Sequence, residues 1–185
     1  MRVGERELLG IEKHRAKVKF GLRELGLLDG PPLRGASTVV NAVSELLSVR
    51  HAAFLMFDDE ASTVQTRASS RPLRPLVEFP IAGSLSEWVR TENHTLAISA
   101  TEFEAPLCPE RKYMDAGAFV GAPVYGPDTE AVGVLAAFDM PRSGWNSASV
   151  KKLENLAHLI SQEIMLRASF QTLRLMSAEA AVLHG

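Results

Sequence analysis

The chain has 185 residues, 46% of them apolar and 23% charged, which places it with soluble globular domains and excludes wholesale disorder. Twenty basic residues against 22 acidic ones give a net charge of −2, which argues against a nucleic-acid binder held by bulk charge. The single cysteine, Cys108, excludes an internal disulfide framework and a cysteine-rich zinc site, and it suits a reducing compartment.

From about residue 4 to 28, Leu8, Ile11, Val18, Leu22 and Leu25 recur at helical spacing. They predict a helix ended by the turn Asp29-Gly30-Pro31-Pro32, where two prolines remove donors. A second helix is expected over 33–48, with Val39, Val40, Val43, Leu46 and Leu47 as its apolar set. The period then changes. His51 to Phe57 is a short apolar run, the pattern of a buried strand. Asp58, Asp59 and Glu60 follow as turn material with solvated carboxylates, and 63–68 alternates as a half-exposed strand, so the two strands form a hairpin. A loop over 69–75 leads to a short edge strand at 76–79, stopped by Pro80.

Ser84 and Glu87 form a capping box at the start of a short helix, 85–91. A brief strand is predicted at 95–98, then an irregular segment over 101–115 with one helical turn near 111–114. The clearest strands are 118–125 and 131–138, joined through Gly126-Pro127-Asp128-Thr129-Glu130. Ser147 caps a final helix running from 148 to the end, longer than the domain beneath it requires. The order is α+β: one antiparallel sheet of five to six strands with helices packed on one face. The chain divides into an N-terminal helix (1–30), a core (31–146) and a long C-terminal helix (147–185). No run of about 18 apolar residues spans a bilayer. The opening Met1-Arg2-Val3-Gly4-Glu5-Arg6-Glu7 lacks the apolar stretch of a signal peptide, so the cytoplasm is the expected location, with no membrane and no nucleic-acid partner.

The run Phe119-Val120-Gly121-Ala122-Pro123-Val124, a turn, then Ala131-Val132-Gly133-Val134-Leu135-Ala136-Ala137-Phe138-Asp139 resembles the last two strands of GAF domains, small-molecule sensing modules related to PAS domains. Pro141-Arg142, the helix around Leu153-Glu154-Asn155-Leu156-Ala157, and the early Leu25-Gly26-Leu27-Leu28-Asp29 are similar to the same family, so the resemblance spans about 25–167. Gly121 and Gly133 leave the backbone open to a helix or ligand, and Pro123, which cannot donate, belongs at a bulge or an unpaired side.

The resemblance implies a lid, made of the short helix and the long loop, over the other face of the sheet. It implies a ligand pocket between lid and sheet, with Phe57, Trp88, Phe103, Cys108, Tyr113, Met114 and Phe119 as its candidate lining. The alternative is that these side chains simply fill the core. Pro109 rather than His follows Cys108, unlike bilin-carrying relatives, and one thiol cannot run the exchange chemistry of relatives that reduce free methionine sulfoxide. The Asn-Lys-x-x-Phe-Asp-Glu signature of cyclic-nucleotide binders is absent. His14, His51, His94, His158 and His184 show no metal-ligand spacing, and Arg67, Arg71, Arg74, Arg111 and Lys112 read as solvated surface rather than an anion site. The expectation is therefore a bacterial, cytoplasmic sensor domain without catalysis, metal or a nameable cofactor. It binds an unidentified small molecule, forms a homodimer through its terminal helices and acts on a separate signalling output protein. The competing reading is a ligand-free dimerisation or interaction module.

Overall fold

The computed structural model describes residues 21–71, 77–99, 108–114 and 117–183, the side chains of 113–114 and 179–183 excepted. In chain order the elements are α1 (Ala36–Leu46), β1 (His51–Asp58), β2 (Thr63–Ser69), β3 (Glu78–Pro80), α2 (Leu85–Glu92), β4 (Leu96–Ile98), α3 (Pro109–Met114), β5 (Ala118–Tyr125), β6 (Ala131–Asp139) and α4 (Ser147–Leu183). The strands form one six-stranded sheet in the order β3-β2-β1-β6-β5-β4, and every neighbouring pair is antiparallel.

The central strands are apolar on both sides because both faces are covered. Along β1, Ala52, Phe54 and Met56 point to one face and Ala53, Leu55 and Phe57 to the other. On the first face Val40 and Val43 of α1 and Leu153, Ile160 and Ile164 of α4 close a helix-side core. On the second, Leu85 and Val89 of α2 meet Phe119, Phe138 and Phe79 in a lid-side core. The α+β architecture read from the sequence, an antiparallel sheet with helices on one face and a lid on the other, is thus present, with six strands.

Several boundaries differ for local reasons. The first predicted helix falls mostly outside the described residues. Its end, 21–25, is a turn held by Leu25 N–H to Gly21 O (3.1 Å) and Leu27 N–H to Leu22 O (2.9 Å). Helix α1 starts three residues later than expected, at Ala36, and of its expected apolar set Leu47 is buried while Leu46 is exposed. Gly35, at the start of α1, has no side chain to cap it, and its N–H reaches Glu163 of α4 (3.1 Å), which ties the two helices. Pro80 sits inside β3, at the exposed edge where a missing donor is harmless.

Gly133 is open to neither a helix nor a ligand. A Cβ there would lie 2.3 Å from Leu55 O, so this glycine lets β1 and β6 close on each other. Pro123 lies beyond the end of the three-residue β4, one residue before a register shift at Val124/Tyr125.

Candidate functional site

The lid begins with the capping box expected at 84–87. Ser84 Oγ accepts from Glu87 N–H (3.0 Å), and Gly83 N–H donates to Glu87 Oε2 (2.8 Å). A second acid completes the cap. Glu110, on α3 and fully buried, accepts from Leu85 N–H (3.0 Å), Ser86 N–H (2.8 Å) and Ser86 Oγ (2.8 Å). A carboxylate against the free N–H groups of a helix start is favoured by hydrogen bonding and by the helix dipole. The result fastens α3 to α2, so the two short helices form one lid unit. Sequence reasoning missed Glu110, because it lies in a mixed-charge stretch and its partners are 24 and 25 residues away.

The candidate lining residues divide under this lid. Phe57, Cys108 and Phe119 meet in the lid-side core, all buried. Trp88 does not join them; it is 53% exposed, because Leu85, Ser86 and Val89 occupy the inward face of α2 and leave Trp88 on its flank. Phe103 lies outside the described residues, as do the side chains of Tyr113 and Met114. Burial pushes the Cys108 thiol pKa up, against the lowering that a reactive thiolate requires.

One polar group in this apolar layer has no partner among the described residues. Thr66 is 1% exposed, and its hydroxyl makes no hydrogen bond to any of them. It pairs across the ladder with Leu55 and so shares Leu55's lid-side orientation, whereas Ala68, past the register shift between Phe54 and Leu55, has turned to the helix side. A buried hydroxyl left unpaired costs about 1–3 kcal/mol. Sequence alternation put Thr66 on a strand but carried no signal for an orphaned hydroxyl.

The sheet's turn end carries an open cleft of about 870 Å³ bordered by Phe57, Asp58, Glu60, Arg90 and the 126–132 hairpin. Both arginines that border it, Arg23 and Arg90, are held by acids. The Arg23 guanidinium bridges Asp29, Asp58 and Glu60, and Arg90 pairs with Asp59 (2.7 Å) while lying 4.4 Å over the Phe57 ring. Asp58, expected in solvent, is buried, with Arg23, Gln65 and the Ala61 N–H as its partners. Arg67 is likewise not a solvated cation, since its guanidinium donates to Leu28 O (2.5 Å) and Gly30 O (2.8 Å). Arg74 lies outside the described residues. Among the described residues no group of three or more His, Cys, Asp or Glu converges as a metal site, and no helix is long and apolar enough to cross a membrane.

Comparison with known proteins agrees with this arrangement. A GAF domain from a Coxiella burnetii phosphoenolpyruvate-protein phosphotransferase is 18% identical, with 82% of this chain and 94% of that one covered at a TM-score of 0.64. The blue-light absorbing form of the Thermosynechococcus elongatus PixJ GAF domain is 21% identical over 90% of this chain and 97% of that one, at a TM-score of 0.59. The free methionine-R-sulfoxide reductase of Neisseria meningitidis, solved with its substrate, is 12% identical over 80% and 88%, at a TM-score of 0.62. At these identities the likeness is one of fold alone. No curated protein matches the chain. The GAF domain profile matches residues 32–164, and the chain is a member of the GAF domain family.

Proposed function

We propose that this chain is a sensory GAF domain. It takes a small molecule on the lid side of the sheet, beneath α2 and α3, and passes the bound state to the terminal helices and from there to a separate signalling protein. The observation that carries the reading is the orphaned Thr66 hydroxyl, a buried polar group on an otherwise apolar face, which a ligand donor or acceptor would satisfy. That the Neisseria relative of the same fold was solved with its substrate supports a small-molecule role for such a scaffold. A non-catalytic role fits the lone, buried Cys108, whose raised pKa suits neither nucleophile nor exchange thiol, and cytoplasmic placement fits an unpaired thiol.

The test is native mass spectrometry of freshly purified full-length chain, alone and with Thr66→Val. A retained small molecule that is lost in the valine variant is the expected result. A bare polypeptide mass, together with no thermal shift across a metabolite panel, refutes the proposal. One observation favours the competing interaction module: Phe57, Phe119 and Phe138 are at most 1% exposed and pack closely where a ligand would lie. In that case the valine variant, which removes an unsatisfied polar group, is more stable than the wild type, with no ligand to lose.

A further inference from the structure

Two concavities at the turn end of the sheet run into one another. The open cleft of about 870 Å³ and a groove of about 760 Å³ share Asn93, Gly126 and Thr129 as a common border. Their chemistry differs. Six carboxylates border the cleft against two guanidiniums, a formal surplus of four negative charges. Arg23 and Arg90 are held by other acids, and Glu24, Asp128 and Glu130 make no ion pair among the described residues. The groove has no Asp, Glu, Lys or Arg in its described lining. It presents Met165 and Leu166 of α4, which are 46% and 57% exposed.

The described chain starts at the lip of the cleft, at Gly21 and Leu22. Backward from Gly21, the sequence changes chemistry in the same order as the surface. Lys13-His14-Arg15-Ala16-Lys17-Val18-Lys19-Phe20 carries four cations and no acid, and Leu8, Leu9 and Ile11 stand ahead of it. Four positive charges thus precede, by a few residues, a cleft with four negative charges in excess. The reach is short. Lys17 is four residues from Gly21, about 6 Å along a helix and about 14 Å extended, and Leu8 to Ile11 lie about 15–20 Å away along a helix. From this match we propose that residues 8–20 dock on their own chain, the basic run in the acidic cleft and the apolar run in the groove on Met165 and Leu166. The segment is then a strap that ties the end of α2 and the 126–132 hairpin to α4. Exposed charge pairs are weak one by one. The tether at Gly21 makes the contact intramolecular, at an effective concentration in the millimolar range, so a few weak pairs and a small apolar contact suffice.

The inference is independent of any lid-side ligand, and its test uses none. The basic run carries its own probe, because trypsin cuts after Lys13, Arg15, Lys17 and Lys19. In low salt the full chain is expected to be cut there about tenfold more slowly than the Asp128→Lys/Glu130→Lys variant, and about 0.5 M sodium chloride is expected to remove the difference. Equal rates in the two chains at low salt, whether fast or slow, overturn the proposal. Lys17→Glu/Lys19→Glu is then compared in both backgrounds, so that the sequence around the remaining sites is the same. Cutting after Lys13 and Arg15 is expected to be slower where the hairpin carries the two lysines, and the reverse order overturns the charge match. Leu166→Ser, at an exposed position, is expected to speed cutting after Lys13 about fivefold with the far-UV circular dichroism unchanged. An unchanged rate overturns the placement of the apolar run in the groove. Each rate is expected to be the same at one tenth of the protein concentration. Protection lost on dilution means that the segment docks on a second copy, and it overturns the strap.

Discussion

Glu110→Ala tests whether one carboxylate holds the lid together. The wild-type side chain is fully buried and accepts three hydrogen bonds, two from backbone N–H groups in the first turn of α2 and one from Ser86 Oγ. Truncation leaves all three donors in an apolar pocket. Each unpaired buried donor costs about 1–3 kcal/mol, and water entering the space left by the side chain recovers part, so the net loss is about 3 kcal/mol. For a chain of this size that lowers the thermal midpoint by about 6–12 °C. Glu110→Gln keeps one acceptor but turns an NH2 toward the donors, and it is expected to lose about 2 kcal/mol. Ser84→Ala provides the scale, since loss of an ordinary N-cap costs about 1 kcal/mol. Urea unfolding gives the global values. Amide exchange at Leu85 and Ser86 gives the local one and separates lid release from general destabilisation. An alanine variant within about 1 kcal/mol of wild type, with exchange at those amides unchanged, refutes the assignment of Glu110 as the lid's fastening.

Three further outcomes follow from buried or crowded groups. His51 lies against Phe138 (5.5 Å) with its ring nitrogen on Ser69 Oγ (2.7 Å), and burial together with nearby Arg71 pushes its pKa down to about 4 from 6.5. The folded state therefore binds fewer protons than the unfolded chain between those values. The His51 contribution is full above pH 6.5 and falls by about 3 kcal/mol as the pH drops to 4. Urea midpoints at pH 7, 5.5 and 4.5 check this, and an equal fall in His51→Gln refutes it. Gly133→Ala is expected to cost about 3 kcal/mol, read by urea unfolding, because its Cβ would meet Leu55 O at 2.3 Å; a near-neutral variant shows that β1 and β6 can shift apart freely. Cys108 is expected to react with Ellman's reagent at least ~100-fold more slowly in the folded chain than in urea, and comparable rates would show that burial does not shield it.

The parts of this molecule that a sequence states plainly are those where local chemistry and global packing agree. Strands β5 and β6 are apolar on both faces because both faces are covered, so they read as unbroken runs. Ser84 and Glu87 advertise a helix start because their partners are three and four residues away. What stayed hidden depends on distant partners. Asp58 reads as a solvated turn acid until Arg23, 35 positions earlier, folds against it. Glu110 has the composition of surface until it meets the start of α2. Trp88 was drawn into the pocket by its size, but size does not set direction on a helix, and the inward positions of α2 belong to Leu85, Ser86 and Val89. The Thr66 hydroxyl is orphaned by its surroundings, a property of the packed state that strand alternation does not encode.

A ligand shifts a protein only by its differential affinity for two arrangements, so the sensory reading requires the lid side and α4 to move together. The β4 edge supplies contiguous contacts. Ile98 places its side chain in the lid-side core, while its carbonyl accepts from Trp145 Nε1 (3.0 Å), just ahead of α4. Thr95, immediately before the same strand, donates to Glu154 on α4 (2.9 Å). One strand over, Phe119 lies in the lid-side core, and Tyr125 at the far end of β5 gives its N–H to Ser161 of α4 (2.9 Å). A sideways displacement of β4 under the lid must therefore either carry the first turns of α4 with it or break these hydrogen bonds. Partly buried groups that lose a partner pay part of the desolvation cost, so moving together is the cheaper response. On the proposed sensory reading, the output is expected at the far end of α4. The turns of α4 that bear Glu154 and Ser161 are pinned to the sheet, and beyond Ala168 no described residue of the helix is buried. A small tilt at the pinned end becomes a larger displacement at the projecting end, where a second helix or an output protein would feel it.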